Sequence, residues 1–412
     1  MGFDSALSGL NAAQKNLDVI GNNVANASVV GFKSSQAQFA DVYATSLTGG
    51  GAGQIGIGTK LDSVAQQFSQ GNVSVTSNPL DVAINGRGFF RMDQNGAITF
   101  ARNGQFRFDS QGFVVNADGL KLTGYGVDAN GNIVPAAPTP IQVSQADVPP
   151  QTTQNFRVGL NLDSRETPPA TTPFNPTDPT SYNFSTSGNV FDTLGNSHTF
   201  TMYFVKTATA NQWQMYGQVD GTALANADIG AGAGNPVTLN FSNIGQLTTA
   251  MPLAATLAVT TGAVTPISFN FDLSGSTQYG STPGVNSMAQ DGFSSGHLVG
   301  FNISADGTMV GRYTNGQTRN LAQIVLADFR NLQGLTPLGN NQWAESAQSG
   351  LPVVGVPTSG SLGTLQSSAV EDSNVDLTAE LVNMITAQRV YQANAQTIKT
   401  QDAMMQTLVN LR

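Results

Sequence analysis

The C-terminal end of the chain reads, from Ser373 to Arg412, SNVDLTAELVNMITAQRVYQANAQTIKTQDAMMQTLVNLR. This stretch contains neither proline nor glycine, the residues that destabilise a helix interior most, by about 3 and 1 kcal/mol. Apolar residues recur at the spacing of one helix face, at Leu377, Leu381, Met384, Ile385, Tyr391, Ala395, Ile398, Met405 and Leu408. Ser373, Asn374 and Asp376 are candidate N-caps. The pattern predicts one helix of about 35 residues, roughly 50 Å long.

The N-terminal end carries a second pattern of the same kind. Its apolar residues fall at Phe3, Leu7, Leu10, Leu17, Ile20 and Val24, which predicts a helix from about Asp4 to Asn26. All 18 prolines lie between Pro79 and Pro357. Helices are therefore expected at both ends of the chain and not in its middle.

Two interpretations of these helices are open. They either pack on the side of a β domain, or they pair with each other and with copies from other subunits. The second interpretation predicts that they are poorly ordered in the isolated chain, because a lone amphipathic helix gains most of its stability from packing. It also predicts an assembly seam made of Leu7, Leu10, Leu17, Ile20, Val24, Leu377, Leu381, Met384, Ile385, Tyr391, Ile398 and Leu408.

The middle of the chain has the sequence pattern of β-strands joined by tight turns. Turn sequences such as Asp93-Gln94-Asn95-Gly96 recur between short apolar runs, and Asn-Gly supplies the positive φ that hairpins need. Glycines at positions 49–58 predict a flexible loop. The fold class is α+β and multidomain, with two mainly-β domains between terminal helices that pair as a coiled coil. The expected divisions are a terminal helical domain (1–28 and 370–412), a connector (29–72), a central β domain (73–145 and 287–369) and an outer β domain inserted in it (146–286).

Composition argues against several classes of protein. Charged residues make up only 10% of the chain and the net charge is −9, which disfavours a nucleic-acid partner or a cationic membrane face. We expect no membrane insertion, since the most apolar stretch, 253–267, is too short to span a bilayer. The first residues lack the pattern of a secretory signal.

The sequence also contains few candidate metal-binding or catalytic residues. Cysteine is absent and there are two histidines, His198 and His297, so we expect no metal site and no cofactor. Asp128-x-Asn130-x-Asn132 begins like a calcium loop, but Ile133 and Thr139 occupy the positions that need Gly and Glu. Arg87, Arg91, Arg102 and Arg107 form one modest basic cluster, which we interpret as surface charge. No enzyme is predicted.

Four blocks of sequence resemble the bacterial flagellar rod and hook family. The first is NLDVIGNNVAN at 16–26 with Gly31, Phe32 and Lys33, the turn of the family signature, although Val29 stands where the family usually carries Thr. The second is DVAINGRGFF at 81–90, and the third runs from RNGQF at 102–106 to LTGY at 122–125. The fourth, at 373–395, comprises SNVDL, MI, AQR and YQANA.

The resemblance implies a structural subunit that polymerises with itself into a hollow tube. The long insertion at about 146–286 favours the hook, a flexible coupling that transmits torque from motor to filament, over the shorter distal-rod subunits. By resemblance, the helices form the inner tube, the central β domain its wall and the inserted domain its outer surface. The implied partners are rod, hook-cap and hook-filament junction proteins and the flagellar export apparatus. The implied location is the hook of the flagellum, outside the cell, after export without a cleaved signal peptide.

Alternatives to a hook subunit remain open on the residues alone. A distal-rod subunit has the same helices but forms a straight, stiff tube. A secreted adhesin shares the middle of the chain, which is rich in Thr, Asn and Gly, but would not need the terminal seams. An enzyme is the least supported, because it requires clustered titratable groups.

Overall fold

A computed structural model of the protein describes residues 2–42, 56, 58–128, 131–144 and 146–410. In this part of the chain there are two α-helices, α1 (Gly2–Ala25) and α2 (Leu377–Asn410), which contact each other. The structure confirms a helix at each end of the chain and a mainly-β middle. Asp376 caps α2, because its carboxylate accepts hydrogen bonds from the backbone N–H groups of Thr378 and Ala379 at 2.9 and 3.1 Å.

The β structure consists of short strands. In chain order they are β1 (Ser35–Val42), β2 (Gly58–Gln66), β3 (Val73–Val75), β4 (Val82–Asn85), β5 (Phe89–Gln94), β6 (Ala97–Ala101), β7 (Arg107–Phe108), β8 (Val114–Val115), β9 (Lys121–Tyr125), β10 (Thr139–Pro140), β11 (Asn155–Asp163), β12 (Phe184–Phe191), β13 (Ser197–Lys206), β14 (Gln212–Val219), β15 (Ala227–Asp228), β16 (Val237–Asn240), β17 (Leu253–Leu257), β18 (Ile267–Asp272), β19 (Thr277–Tyr279), β20 (Gly284–Gln290), β21 (Leu298–Ile303), β22 (Thr308–Tyr313), β23 (Thr318–Ile324), β24 (Leu326–Asp328), β25 (Thr336–Gly339), β26 (Gln342–Ala344), β27 (Val353–Gly355), β28 (Thr364–Ser367) and β29 (Ala369–Glu371).

The chain divides into two compact units. The first comprises Met1–Gln145, Gly300–Arg312 and Thr318–Arg412. Its main sheet has the order β22-β23-β9-β5-β6-β26-β25. The turn between β5 and β6 contains Asn95 and Gly96, both with positive φ, as the turn sequence predicted. One of its core clusters is aromatic, with Phe89, Phe100, Phe329 and Trp343 buried together.

The second unit comprises Ala146–Val299 and Tyr313–Gln317. One of its sheets has the order β15-β17-β18-β11-β19, with β20 on β11, and the other has the order β12-β13-β14-β16. Both sheets contribute to one hydrophobic core, in which Phe156, Phe200, Trp213 and Phe271 are at most 1% exposed. Two sheets that share a core in this way form a β-sandwich.

The connector contains a hairpin that the sequence analysis did not predict. Strands β1 and β2 pair antiparallel from Ser35 opposite Gln66 to Val42 opposite Gly58, with an irregularity between Gln38 and Phe39. The hairpin packs on α1. Of the glycine-rich stretch predicted to be a loop, only Gly56 and Gly58 belong to the described residues, so the rest of that prediction lies outside them.

Gly31 turns the chain from α1 into the connector. Its φ is +72°, and a Cβ at this position would stand 2.6 Å from the backbone nitrogen of Asn103. Its own N–H donates to the carbonyl of Glu371 at 2.7 Å. Since a side chain would be strained and would collide with backbone, only glycine fits this position. Phe32 is half-buried and Lys33 is buried.

Lys33 belongs to a buried ion cluster that joins three distant parts of the sequence. Its Nζ lies 2.6 Å from Glu371 Oε1 and also donates to the Ser69 carbonyl at 2.7 Å. Arg102, which the sequence analysis interpreted as surface charge, is instead buried, and its Nε lies 2.5 Å from the other oxygen of Glu371. The guanidinium also donates to the carbonyls of Ile84 and Gly86 at 3.2 and 2.6 Å. The cluster therefore ties the start of the connector, the central strands and the end of β29 together.

Burial and charge oppose each other in this cluster. Burial alone would raise the pKa of Glu371, but the charges of Arg102 and Lys33 outweigh it and lower that pKa. Burial lowers the pKa of Lys33, and the like charge of Arg102 acts in the same direction, against the attraction of Glu371. One carboxylate is thus the shared counter-ion of two buried cations, so Glu371 is the member whose loss is most damaging.

We predict that Glu371→Gln destabilises the first unit by about 3–5 kcal/mol, because it leaves two buried cations without a counter-ion. Lys33→Met should destabilise it less, by about 1–2 kcal/mol, since Glu371 keeps Arg102. Denaturant unfolding is followed by the fluorescence of Trp343, which lies in the first unit, in a Trp213→Phe background. Equal losses for the two variants would contradict this reading of the cluster.

A second buried charge network lies in the β-sandwich unit. The His198 ring places Nδ1 2.7 Å from Asp220 Oδ2 and Nε2 3.2 Å from Asp192 Oδ2. Asp192 also accepts from the Thr261 hydroxyl at 2.7 Å and from Asn196 Nδ2 at 2.9 Å. Burial would lower the pKa of His198, but its hydrogen bonds to Asp220 and Asp192 outweigh burial and raise it. The imidazolium form in β13 therefore links Asp192, directly after β12, to Asp220, directly after β14.

We predict that the sandwich unit is more stable at pH 6 than at pH 8. A histidine whose folded-state pKa is raised stabilises fully below its unfolded pKa of about 6.5, and the contribution is lost as pH rises through the higher folded value. His198→Gln should remove this slope and about 1.5–3 kcal/mol of stability at pH 6. Trp213 fluorescence in a Trp343→Phe background measures it. His297→Gln is the control, because His297 is exposed and contacts Asp147 at the surface. A slope that survives His198→Gln would refute the prediction.

Candidate functional site

The two terminal helices lie side by side and run antiparallel. Gly9 of α1 lies against Asn394 of α2, since a Cβ on Gly9 would stand 2.9 Å from Asn394 Nδ2. Fourteen residues further along α1, Asn23 Nδ2 donates to Glu380 Oε1 at 3.1 Å, and Glu380 lies fourteen residues before Asn394. Equal spacing in opposite directions means that one register holds between these two contacts.

The face of α1 that is buried consists mainly of small residues. Ala6, Ala13 and Ile20, at seven-residue spacing, are 5–6% exposed. A second row with the same spacing, Gly9, Asn16 and Asn23, lines the groove beside α2. Because small side chains let helix axes come close, this face accepts α2 at short distance.

The matching face of α2 has the same spacing. Its residues beside α1 are Glu380, Asn383, Thr386, Ala387, Val390 and Asn394, and Ala387 is the buried one among them. Glu380, Ala387 and Asn394 are seven residues apart, the repeat of a helix seam. The contact between the helices is therefore built from alanine, glycine and amide side chains.

Asn23 is the most constrained polar residue of this contact. It is 1% exposed. Its Oδ1 accepts from the Ser35 N–H at 2.9 Å, and its Nδ2 donates to the Ser35 carbonyl at 2.8 Å. This double contact leaves the second hydrogen of Nδ2 for Glu380. One side chain thus joins α1, β1 and α2.

The connector residues beside Asn23 are held from the other end of the chain. Asn374 Oδ1 accepts from the Ser34 N–H at 2.7 Å, and Asn374 Nδ2 donates to the Gln67 carbonyl at 2.7 Å. Lys33 binds Glu371, as described above. We call Lys33, Ser34 and Ser35 the anchor segment, because three consecutive residues bind side chains from the two terminal regions.

A groove of about 690 Å³ lies between α1, α2 and the β1–β2 hairpin. Amide side chains supply much of its polar lining, and Val19, Ile20, Phe39 and Val390 supply apolar lining. All three elements belong to the first unit. The helices therefore meet along a partly open, mixed surface and not along a continuous apolar seam.

The structure places the predicted seam residues on different surfaces. In α1, Ile20 is buried, Leu10, Leu17 and Val24 are half-buried, and Leu7 is 43% exposed. In α2, Leu377, Leu381 and Ile385 are 45%, 46% and 51% exposed, and Tyr391 is 36% exposed. Met384 and Ile398 are half-buried, and the side chain of Leu408 lies outside the described residues.

The apolar line of α2 points away from α1. Val390, which lines the groove beside α1, is nine residues after Leu381, two and a half turns further, and so lies on the opposite side of α2. Leu377, Leu381 and Ile385, spaced by four, share the outer side. Within this chain these three large residues therefore do not make the contact between the helices.

Sequence reasoning missed the residues that do make this contact. It weighted large apolar side chains, so Asn16 and Asn23 were not among the predicted seam residues. The available signal was the seven-residue spacing of Gly9, Asn16 and Asn23 in α1 and of Glu380, Ala387 and Asn394 in α2, in which small and polar residues recur.

Other kinds of site find little support in the described residues. Across the described ranges, His, Asp and Glu side chains form no group of three or more that could hold a metal ion. Neither helix, as far as it is described, is long and apolar enough to cross a membrane.

Four protein-family models match the chain in order. They are described as flagella basal body rod protein (residues 3–33), flagellar hook protein FlgE/F/G D1 domain (83–161), flagellar basal body protein FlaE D2 domain (161–293) and flagellar basal body rod FlgEFG protein C-terminal (366–411). A solved structure, the flagellar hook protein FlgE2 of Helicobacter pylori, is similar in fold, with a TM-score of 0.51 and 12% identity over 72% of this chain and 100% of that one.

Curated relatives match over the full length. The chain is 43% identical to the flagellar hook protein FlgE of Escherichia coli (strain K12), with 100% of both chains covered. It is 42% identical to that of Salmonella typhimurium, again over 100% of both. It is 31% identical to that of Treponema pallidum, over 99% of this chain and 98% of the relative. Full-length identity at this level shows that the chain belongs to the flagellar hook protein FlgE family.

Proposed function

We propose that this chain is the structural subunit that polymerises into the flagellar hook, a hollow flexible coupling between motor and filament. The observation that carries the proposal is the outer side of α2, where Leu377, Leu381 and Ile385 stay about half exposed after α1 has packed on the other side. The names of the full-length relatives support a hook subunit over a distal-rod subunit, an adhesin or an enzyme.

The exposed side of α2 is suited to association. Leu377, Leu381 and Ile385 follow one another at four-residue spacing, so apolar surface is continuous over more than two turns of this side. Contiguous exposed apolar surface marks interaction sites. Burying each such side chain against another subunit contributes on the order of 1.5–3 kcal/mol. Copies of the chain are the partners that a homopolymer provides.

We propose that the helices form a coiled coil within each subunit and an outer seam between subunits. The inner contact uses the seven-residue rows at Gly9 and Asn23 of α1 and at Glu380 and Asn394 of α2. The outer seam uses those of the twelve predicted apolar residues that stay exposed in the chain, Leu7, Leu377, Leu381, Ile385 and Tyr391. Ordering the helices is expected to become favourable only when neighbours add interface, so assembly and folding of the ends are coupled.

The domain divisions expected from the sequence are part of the proposal. The outer β domain, residues 146–286, is inserted in a central β domain made of residues 73–145 and 287–369. The terminal helical domain comprises residues 1–28 and 370–412, joined through the connector 29–72.

The proposed partners follow from the family. They are further copies of the chain, rod, hook-cap and hook-filament junction proteins, and the flagellar export apparatus. The proposed location is the hook of the flagellum, outside the cell, after export without a cleaved signal peptide. Nucleic acid and membrane insertion have no part in the proposal.

Electron microscopy of purified full-length subunit at high concentration tests the function. We expect hollow, curved tubes. Amide exchange on the free and assembled samples should show greater protection of residues 2–25 and 377–410 after assembly, because neighbours cover the helices. Straight, stiff tubes would favour the distal rod, and absence of any polymer would overturn the proposal. Equal protection in both samples would overturn the coupling of assembly to folding.

We predict that Leu381→Asn and Ile385→Asn weaken assembly without weakening the isolated chain. Both side chains are half exposed, so stability of the free subunit should change by no more than about 0.5 kcal/mol. Loss of about 1.5–3 kcal/mol of burial per copy should raise the critical concentration for polymerisation about 10- to 100-fold. Sedimentation of polymer at graded concentrations measures it.

Val382→Asn is the matched control for this prediction. Val382 is adjacent and even more exposed, at 59%, but lies about 100° around the helix from Leu381. The Val382 variant should assemble close to normally. An equal effect of all three variants would show that the outer line of α2 is not the seam.

A further inference from the structure

We infer that Asn23 is the positioning residue that sets the axial register of α1 against α2. The inference rests on the proposed function in one respect. In a helical polymer, every copy must have the same axial register between α1 and α2. It concerns a residue inside the subunit and not the outer seam.

The first step is the orientation of the Asn23 amide. Ser35 offers both its N–H and its carbonyl to this side chain, at 2.9 and 2.8 Å. An amide bound at both ends to one backbone residue has a fixed plane and fixed oxygen and nitrogen positions. The direction of the remaining N–H is therefore set by β1 before α2 is considered.

The second step is the acceptor on α2. Glu380 Oε1 receives that N–H at 3.1 Å, and this carboxylate lies in the first turn of the helix. Neighbouring residues on this face, Asn383 and Ala387, differ in length and charge. A helix shifted by one turn, about 5–6 Å, would bring either Asn383 or Asp376 to Asn23. Asn383 is one methylene shorter than Glu380 and uncharged, and the Asp376 carboxylate already caps α2. A buried donor that loses a well-placed acceptor is costly, so the observed register is favoured.

The third step is the nature of the rest of the contact. Gly9, Ala13 and Ala387 are small, and a groove of about 690 Å³ runs beside them. Such a surface tolerates a shift of one helix along the other. A single buried Asn is known to specify register in seams of heptad spacing, and here it supplies what the small residues do not.

The anchor segment makes Asn23 effective. Ser35 is held by Asn23, Ser34 by Asn374 at 2.7 Å, and Lys33 by Glu371 at 2.6 Å. The reference point on β1 is thus attached to the C-terminal region only a few residues before α2 begins. Asn23 therefore fixes the axial position of α2 relative to β1.

Disulfide formation between two introduced cysteines reports the register. The chain itself contains no cysteine, so no other pairing competes. Gly9→Cys is combined in turn with Asn394→Cys, Val390→Cys or Ile398→Cys, which report the observed register and a shift of one turn in each direction. Disulfide yield is measured in polymer assembled from full-length chain. With Asn23 present, pairing at 394 should exceed pairing at 390 or 398. Asn23→Leu should reduce this preference about tenfold, the effect of about 1.4 kcal/mol.

Asn22→Leu is the matched control, since Asn22 is the same residue type one position away, exposed, and bonded only within its own helix turn, to Asn26. It should keep the preference for 394. An unchanged preference in Asn23→Leu, or an equal loss in Asn22→Leu, would overturn the inference.

Glu380 supplies a second pair of variants in case Asn23→Leu does not assemble. Glu380→Gln keeps an acceptor oxygen and should keep both assembly and the preference for 394. Glu380→Met removes the acceptor and should lose the preference, or lose assembly that the Gln variant retains. Normal pairing and assembly in Glu380→Met would overturn the inference. If the natural sequence itself never assembles, the proposed function fails, and the register is read on the free chain, where disulfide formation traps the molecules whose helices have paired and 394 is still the expected partner.

Discussion

The burial of one carboxylate, Glu371, between Lys33 and Arg102 is the constraint on which the first unit depends. Burying these charges is tolerable only because all three meet, with backbone carbonyls completing the cations' hydrogen bonds. The cluster joins residues more than three hundred positions apart in the chain. It thereby places the end of α1 and the beginning of α2 beside the same short connector segment.

The two helices that this cluster positions differ in residue composition between their inner and outer sides. The inner side uses glycine, alanine and amides, which allow close approach and a defined register. The outer side of α2 carries Leu377, Leu381 and Ile385, which no part of the described chain buries. A subunit that kept its large apolar residues inside would be more stable alone but would have less surface to offer a neighbour. The observed division suits a protein that works by association.

Much of the fold was predictable from local patterns. The two helices were predicted from the absence of proline at both ends and from the helical spacing of apolar residues. The β middle was predicted from its Asp-x-Asn-Gly turns. These features act within a few residues of the chain, so they are visible in the sequence. Asp376 was predictable as a cap for the same reason. The β1–β2 hairpin was not predicted, since its strands, such as SQAQFADV, carry only short and scattered apolar residues and gain their order by packing on α1.

Residue types and spacing, by themselves, determined that the ends are helices and that four blocks resemble one family, whose signature places a turn at Gly31. Tertiary structure alone decided which side of α2 faces α1, that Asn23 is buried, and that Lys33, Arg102 and Glu371 meet. The physical reason is that helical periodicity defines a face but not its neighbour. Which face is covered depends on distances between segments far apart in the chain, and a buried charge or amide is stable only where its partners arrive from elsewhere.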